Sequence, residues 1–372
     1  FPMRWDPTRP RNGAPWDERM EPGALFDAMR PHFTGAGGTG FVQRHHCWYA
    51  ADLGRDLGWP RALELDIRKP LPGRDDGSTR WTFERVPPGA ATANDAFHAM
   101  EVMNDSWNEN HLQYRAVWFW LLDQGRVRAG TANSDSHGLA DSLVGTPRNL
   151  VWAATSPAAF AADVFLQAVR DGRMVGTNGP VVEASVSSGG ATHLPRVDRS
   201  FKPAPDAVLQ VRVSAAPWVP VREVRVVVNG RVAWKGNPPV QPADPFGRAD
   251  LTRLERSWPL ADLLAAAGAA SRDAWVVVEA GEPLPLAADL NGDGVPDTGD
   301  NDGNGVVDRR DVKPGDDQGP LDPPPAPADF ADPAFHFAAV SRGEMPQAFT
   351  NPFLLDRDGD GRYAGPGVGG SR

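Results

Sequence analysis

Two short runs in this 372-residue chain carry residue types that hold metal ions. The first is Thr131-Ala132-Asn133-Ser134-Asp135-Ser136-His137-Gly138, which offers Asp-x-His behind an apolar approach. On an extended backbone, side chains at i and i+2 project to the same side. Asp135 and His137 would then present a hard oxygen and a borderline nitrogen together, a mixture suited to zinc, manganese or iron. The alternative is a plain loop in which Asp135 caps the next helix and His137 is polar surface. The second run is His45-His46-Cys47, which follows the short strand Phe41-Val42-Gln43. Adjacent strand residues face opposite ways, so at most one of His45 and His46 is a direct ligand. A third polar cluster, Glu101 to Asn104, closes the apolar run that starts at Ala99. Glu101 and Asn104 read as supporting or structural groups, with Asn104 a weak candidate for substrate contact. Arg148 could hold an anionic group or be an ordinary surface arginine.

A different chemistry lies further on. Asp289-x-Asn291-x-Asp293-Gly294 is followed by Asp297 and Asp300, and Asp300-x-Asp302-x-Asn304-Gly305 by Asp308 and Asp311. Oxygen ligands at alternate positions with glycine sixth fit the first half of a calcium loop, although Asp stands where an EF-hand closes with Glu. The two units share Asp300 and so repeat end to end, which resembles thrombospondin type 3 or dockerin-like repeats. The alternative is a solvated acidic linker. Asp356-x-Asp358-x-Asp360-Gly361 is a third, weaker half-loop with no acidic residue at its closing position.

The elements that must position these residues alternate strand and helix. Pro22 opens a helix with Leu25, Phe26 and Met29 on one face. Gly35 to Gly40 has the spacing of a dinucleotide fingerprint, but no strand leads in and no helix follows, so it reads as a loop. Leu63–Ile67 and Ala99–Asn104 read as strands, Tyr114–Leu122 as helix, Arg126–Gly130 as the strand entering the Asp-x-His motif, and Asn149–Ala153 as strand. Ser156-Pro157 then starts a helix, with Ser as N-cap and Pro at N1, that runs through Phe160, Val164, Phe165 and Val169 to Asp171-Gly172. Such βα alternation predicts a mostly parallel sheet with its site at strand C-terminal ends. His45-His46, Glu101–Asn104 and Ser134–His137 all fall at such ends, which predicts one shared site. From about Val181 the pattern turns to period two: Leu209–Val213, Val224–Val228, the hairpin signal Asn229-Gly230, Arg231–Trp234 and Ala274–Val278 predict a small β-sandwich.

Composition narrows the partners. The formal net charge is -10, which argues against a nucleic-acid backbone. Residues 289–317 hold nine Asp against Arg309, Arg310 and Lys313, so the rest of the chain is closer to neutral. The single cysteine, Cys47, rules out an intrachain disulfide. No run is long and apolar enough to span a membrane. The expected partner is a small-molecule substrate. The calcium-type repeats point to an exported protein, periplasmic or extracellular, although no signal sequence is visible.

Several stretches together resemble the carbaryl-hydrolase-like (CehA/McbA) branch of the PHP metallohydrolases. They are Val42-Gln43-Arg44-His45-His46, Glu101-Val102-Met103-Asn104, Asn133 to Gly138, Gly145-Thr146-Pro147-Arg148, Gly172 to Pro180, and Phe349-Thr350-Asn351-Pro352-Phe353. The resemblance implies a distorted (β/α)7 barrel whose metal cluster activates water to hydrolyse phosphoester or carbamate and amide-type bonds. It implies that Asp135 and His137 are the closing ligand pair and that His46 matches the family histidine, with His45 in the place of the usual Asn and Cys47 in that of Pro. The family's opening His-x-His and its Asp-His are missing, so the resemblance implies a C-terminal part of a longer protein, with about half the ligand set and weak metal binding. The expected organisation is a PHP-like part over 1–180, a β-sandwich over 181–285, calcium-type repeats over 286–315, and a Pro-rich linker with a C-terminal segment over 316–372. A second class of reading is a calcium-stabilised extracellular binding or scaffold protein with a degenerate hydrolase domain.

Overall fold

A computed structural model describes residues 42–45, 97–104, 108–136, 144–154, 156–240, 251–269, 273–284 and 345–366. The helix expected after Pro22, the Gly35–Gly40 loop, the strand at Leu63–Ile67 and the Pro-rich run lie outside the described residues.

The N-terminal layer is a three-stranded parallel sheet in the order β1-β2-β3. Its strands are β1 (Gln43–Arg44), β2 (Ala99–Asn104) and β3 (Ala129–Asn133), and helix α1 (Asn108–Asp123) makes the crossover from β2 to β3. Every residue of β2 is buried, as expected of a parallel strand covered on both faces. Tyr114, Val117, Trp118, Phe119, Leu121 and Leu122 of α1 are buried too, so this helix packs on more than one side. Gly125, at φ 67°, ends it, with its own N–H bonded to the Leu122 carbonyl at 3.0 Å and the Arg126 N–H to Leu121 at 2.8 Å. A Cβ at Gly125 would stand 2.4 Å from the Ala364 carbonyl oxygen, so both the backbone conformation and the close approach require glycine.

The middle layer is a seven-stranded antiparallel sheet ordered β10-β9-β12-β13-β5-β4, with β14 also paired to β12. Its members are β4 (Arg148–Val151), β5 (Met174–Thr177), β9 (Glu223–Val228), β10 (Arg231–Gly236), β12 (Ala274–Gly281), β13 (Gln347–Thr350) and β14 (Phe353–Leu355). The third layer is a four-stranded antiparallel sheet, β11-β8-β6-β7, built from β6 (Val181–Ser188), β7 (Ala191–His193), β8 (Val208–Ser214) and β11 (Thr252–Pro259). The valines of β9 explain why the middle sheet sits between the other two. Val224, Val226 and Val228 pack into the core shared with the four-stranded sheet, while Val227 packs into the core under α1. β12 splits in the same way, with Val276 and Val278 on one side and Trp275 and Val277 on the other. A strand apolar on both faces belongs in a central sheet, and period two sorts its side chains between the cores.

Among the described residues the chain is therefore mixed α/β with few helices and mostly antiparallel sheets. A closed (β/α)7 barrel is not formed among the described residues; parallel pairing there is confined to β1-β2-β3 and one isolated bridge. The sandwich strands and the Asn229-Gly230 hairpin, at φ 49° and 79°, fall where the period-two pattern puts them. Strands β13 and β14, from residues 345–366, return to the middle sheet, and β13 lies between β12 and β5. That sheet takes strands from both sides of residue 180. The helix expected from Ser156 is divided into a 3-10 turn at Pro157–Ala159 and helix α2 (Ala162–Arg170). Phe160 and Ala161 between them are extended, and Ser156 makes no side-chain cap bond. The physical reason lies in exposure. Residues 156–164 are exposed, so no packing holds the first turn in register with the buried Ala168 and Val169.

Candidate metal edge of the parallel sheet

The polar ends of the three parallel strands meet at one carboxylate. Glu101 is fully buried. Its Oε1 accepts from Asn104 Nδ2 and Asn133 Nδ2, each at 2.9 Å, and lies 3.1 Å from His45 Nδ1. Asn104 Nδ2 also reaches Asp135 Oδ2 at 3.4 Å. Beneath this group, Thr131 Oγ1 accepts from Gln43 Nε2 at 3.0 Å and Asn133 Nδ2 at 3.2 Å, and donates to the Met100 carbonyl.

A bulge makes the convergence possible. The β2–β3 register runs Glu101↔Thr131 and then Met103↔Ala132, so Val102 has no partner across the ladder. In an unbroken strand, residues three apart face opposite ways. The extra residue turns Asn104 back toward Glu101. Val102 also leaves a carbonyl off the ladder, and His111 Nδ1 of α1 takes it at 2.9 Å. Burial holds the His111 imidazole down, at about 4. It is therefore neutral at pH 7, and Nδ1 carries the proton that Val102 accepts. At His45 the balance runs the other way. The hydrogen bond with Glu101 holds its imidazole above the ordinary range against the opposing effect of burial, and the Glu101 and Asp135 charges add to it.

The expected site residues fare differently. His45, Asn104 and Asp135 are brought together around Glu101. His46 and His137 lie outside the described residues, as do Asp289, Asn291, Asp293, Asp297, Asp300, Asp302, Asn304, Asp308 and Asp311. β3 ends at Asn133, and Asp135 has φ 45°, so its backbone is left-handed and the extended geometry expected for the Asp-x-His pair does not hold there. Arg148 is exposed and folds onto its own loop, donating to the Gly145 carbonyl at 3.2 Å and Thr146 Oγ1 at 3.4 Å. The Asn104 amide is engaged by the two carboxylates. Glu101, read from the sequence as a supporting group, is the hub, and Asn133 joins it. One imidazole and two carboxylates are the donor types that a zinc, manganese or iron ion takes, but the ligand atoms of His45, Glu101 and Asp135 do not all lie within 4.8 Å of one another.

Among the described residues, the one group of three acidic or imidazole side chains with ligand atoms within 4.8 Å of one another is Asp273, Asp356 and Asp358. Here the third half-loop meets the start of β12. Asp356 accepts the Gly359 N–H at 2.7 Å and the Gly361 N–H at 2.9 Å. Asp273 accepts the Arg357 and Ala364 N–H groups at 2.9 and 2.8 Å. The set could hold a metal ion. Nothing in the local sequence of Asp273 signals it, because its partners come from 83 residues further along the chain.

No family model, curated protein or solved structure matches this chain. No helix among the described residues is long and apolar enough to cross a membrane.

Proposed function

We propose that the chain is a metal-dependent hydrolase of the PHP type, with Glu101, His45 and Asp135 at the edge of the parallel sheet as its metal-holding and water-orienting groups. The observation that carries this reading is the meeting of three strand ends on the buried Glu101 carboxylate. A divalent zinc, manganese or iron ion bound there supplies Lewis acidity for attack by water on a phosphoester, carbamate or amide-type centre. Glu101 and His45 would take part in holding it, with His46 and His137 completing the set. Asn104 ties Asp135 to Glu101 and so fixes where the Asp135 carboxylate can orient a water or accept its proton. Asn133 holds Glu101 from the other side. In this reading β1-β2-β3 are part of a distorted (β/α)7 barrel, and the protein acts on a small molecule outside the cytoplasm.

The test is metal content after dialysis against calcium-free buffer. It compares the parent chain, Glu101→Gln, and Asp135→Ala combined with His137→Ala. Transition metal kept by the parent and lost by both variants supports the reading, and hydrolysis of p-nitrophenyl phosphate and an aryl N-methylcarbamate should then follow the metal. Calcium alone, equal in all three, overturns it. That outcome favours the second reading, a calcium-stabilised extracellular binding or scaffold protein, to which the Asp273, Asp356 and Asp358 cluster lends support.

A further inference from the structure

The outer face of the four-stranded sheet forms a cavity of about 500 Å3, remote in sequence from the Glu101 edge. Its floor is two cross-strand rows fixed by the register. Glu255, Arg212 and Glu183 stand side by side on β11, β8 and β6, and Ser257, Gln210 and Ser185 form the next row. The side walls carry Trp152 and Leu194, which are 43% and 50% exposed. A polar outer face is ordinary for a sandwich. An indole and a leucine beside such a floor, lining an open cavity whose volume is in the range of small-molecule sites, are not.

The charges narrow the ligand. Arg212 lies 3.9 Å from Glu183 and donates to Thr252 Oγ1 at 3.1 Å. Arg173 lies 3.4 Å from Asp171, and the Arg256 guanidinium is stacked over Trp234 and Trp258. The lining sets Glu183 and Glu255 among Arg173, Arg212 and Arg256, so the two signs are interspersed and no field of one sign stands out to attract a phosphate or a polyanion. What it offers is interleaved donors and acceptors. Ser185 Oγ already donates to Gln210 Oε1 at 3.3 Å; the Gln210 amide N–H groups are donors, the Ser257 hydroxyl can donate or accept, and Trp152 adds a flat apolar platform. We propose that this face binds an uncharged oligosaccharide, with a sugar ring lying on Trp152 and its hydroxyls meeting the Ser185–Gln210–Ser257 row. This does not rest on the hydrolase reading.

The full chain is titrated with cellohexaose, xylohexaose, laminarihexaose and chitohexaose, with polygalacturonate as the charged probe, by tryptophan fluorescence and calorimetry. At least one neutral hexasaccharide is expected to bind. Trp152→Ala should weaken it about tenfold and Gln210→Ala several-fold, both by calorimetry, while Trp218→Ala, on a different exposed indole, leaves it unchanged. Gln210 is an exposed sheet residue, so its variant keeps the test valid if Trp152→Ala folds poorly. Failure of all four neutral probes overturns the proposal, as does binding that survives both Trp152→Ala and Gln210→Ala, or binding of polygalacturonate alone.

Discussion

At the scale of single residues, buried ionisable groups separate what is structural from what is free for chemistry. Glu279 lies between Arg115, which grips both its oxygens, and Arg225, 3.0 Å from Oε2. Burial alone would raise its carboxyl, but the two guanidinium groups outweigh that and hold it at about 2. Glu279→Gln should cost about 3–5 kcal/mol in urea unfolding at pH 7, because it leaves buried cations short of their counter-charge. A depressed carboxyl contributes stability that is present above its unfolded value of 4.5 and lost as pH falls toward 2. The gap between parent and variant should therefore narrow steadily below pH 4.5. Glu282 is the opposite case. Among the described residues neither oxygen has a hydrogen-bond partner, Arg222 is 3.5 Å away, and burial raises its carboxyl to about 7. Its contribution is full below pH 4.5 and is lost as pH rises through 7. Glu282→Gln should unfold at a higher temperature than the parent at pH 8, and the difference should vanish at pH 4. None of this is legible locally. Glu101 reads only as a supporting group and the sequence does not single out Glu279 or Glu282, because tertiary partners 32 to 164 residues away decide which is a hub, which a counter-charge and which a carboxyl raised by burial beside one arginine.

At the scale of elements, the sequence shows strands better than their irregularities. β2, β8, β9 and β12 are read to within a few residues because their valines and alternation belong to the chain itself. The bulge at Val102 and the break at Phe160–Ala161 are not, since one is set by the neighbouring strand and the other by missing packing. His111 is the side chain that supports the bulge, and its neutrality gives a measurable sign. An imidazole held at about 4 contributes stability that is present above its unfolded value of 6.5 and lost as pH falls through 4, on the order of 3 kcal/mol. His111→Phe keeps the stacking on Phe349, now 6.2 Å between centroids, but abandons the Val102 carbonyl. Urea unfolding should show the variant about 1–3 kcal/mol less stable at pH 7.5, with the deficit shrinking as pH falls from 6.5 to 4. A deficit constant across that range would mean that His111 does not hold the carbonyl as a neutral donor.

At the scale of the whole molecule, the question is how a parallel layer is joined to an antiparallel one. Among the described residues β3 is the outer strand of its sheet, and its outer edge faces the middle layer. Two side-chain amides stand where another strand would. Asn351 accepts the Gly130 N–H at 2.8 Å and donates to the Gly130 and Met174 carbonyls at 3.2 Å. Asn149 accepts the Ala132 N–H at 2.9 Å and donates to its carbonyl at 2.7 Å. The edge is thereby satisfied without extending the sheet, as a buried edge must be. Both residues sit in or directly beside the Gly-Thr-Pro-Arg and Thr-Asn-Pro-Phe stretches that carry the family resemblance in the sequence, and here their amides are spent on joining two layers. Asn351→Leu, close in volume, should leave two carbonyls and one N–H buried without partners and destabilise the protein by several kcal/mol, at about 1–3 kcal/mol per group. Hydrogen exchange distinguishes a joint from ordinary packing. The Gly130 and Ala132 amides should lose protection in the variant more than Val226 or Val277 in the middle sheet do, because the parallel layer opens first. Equal loss at all four amides would mean that the layers open together and that the Asn351 amide is one core contact among many.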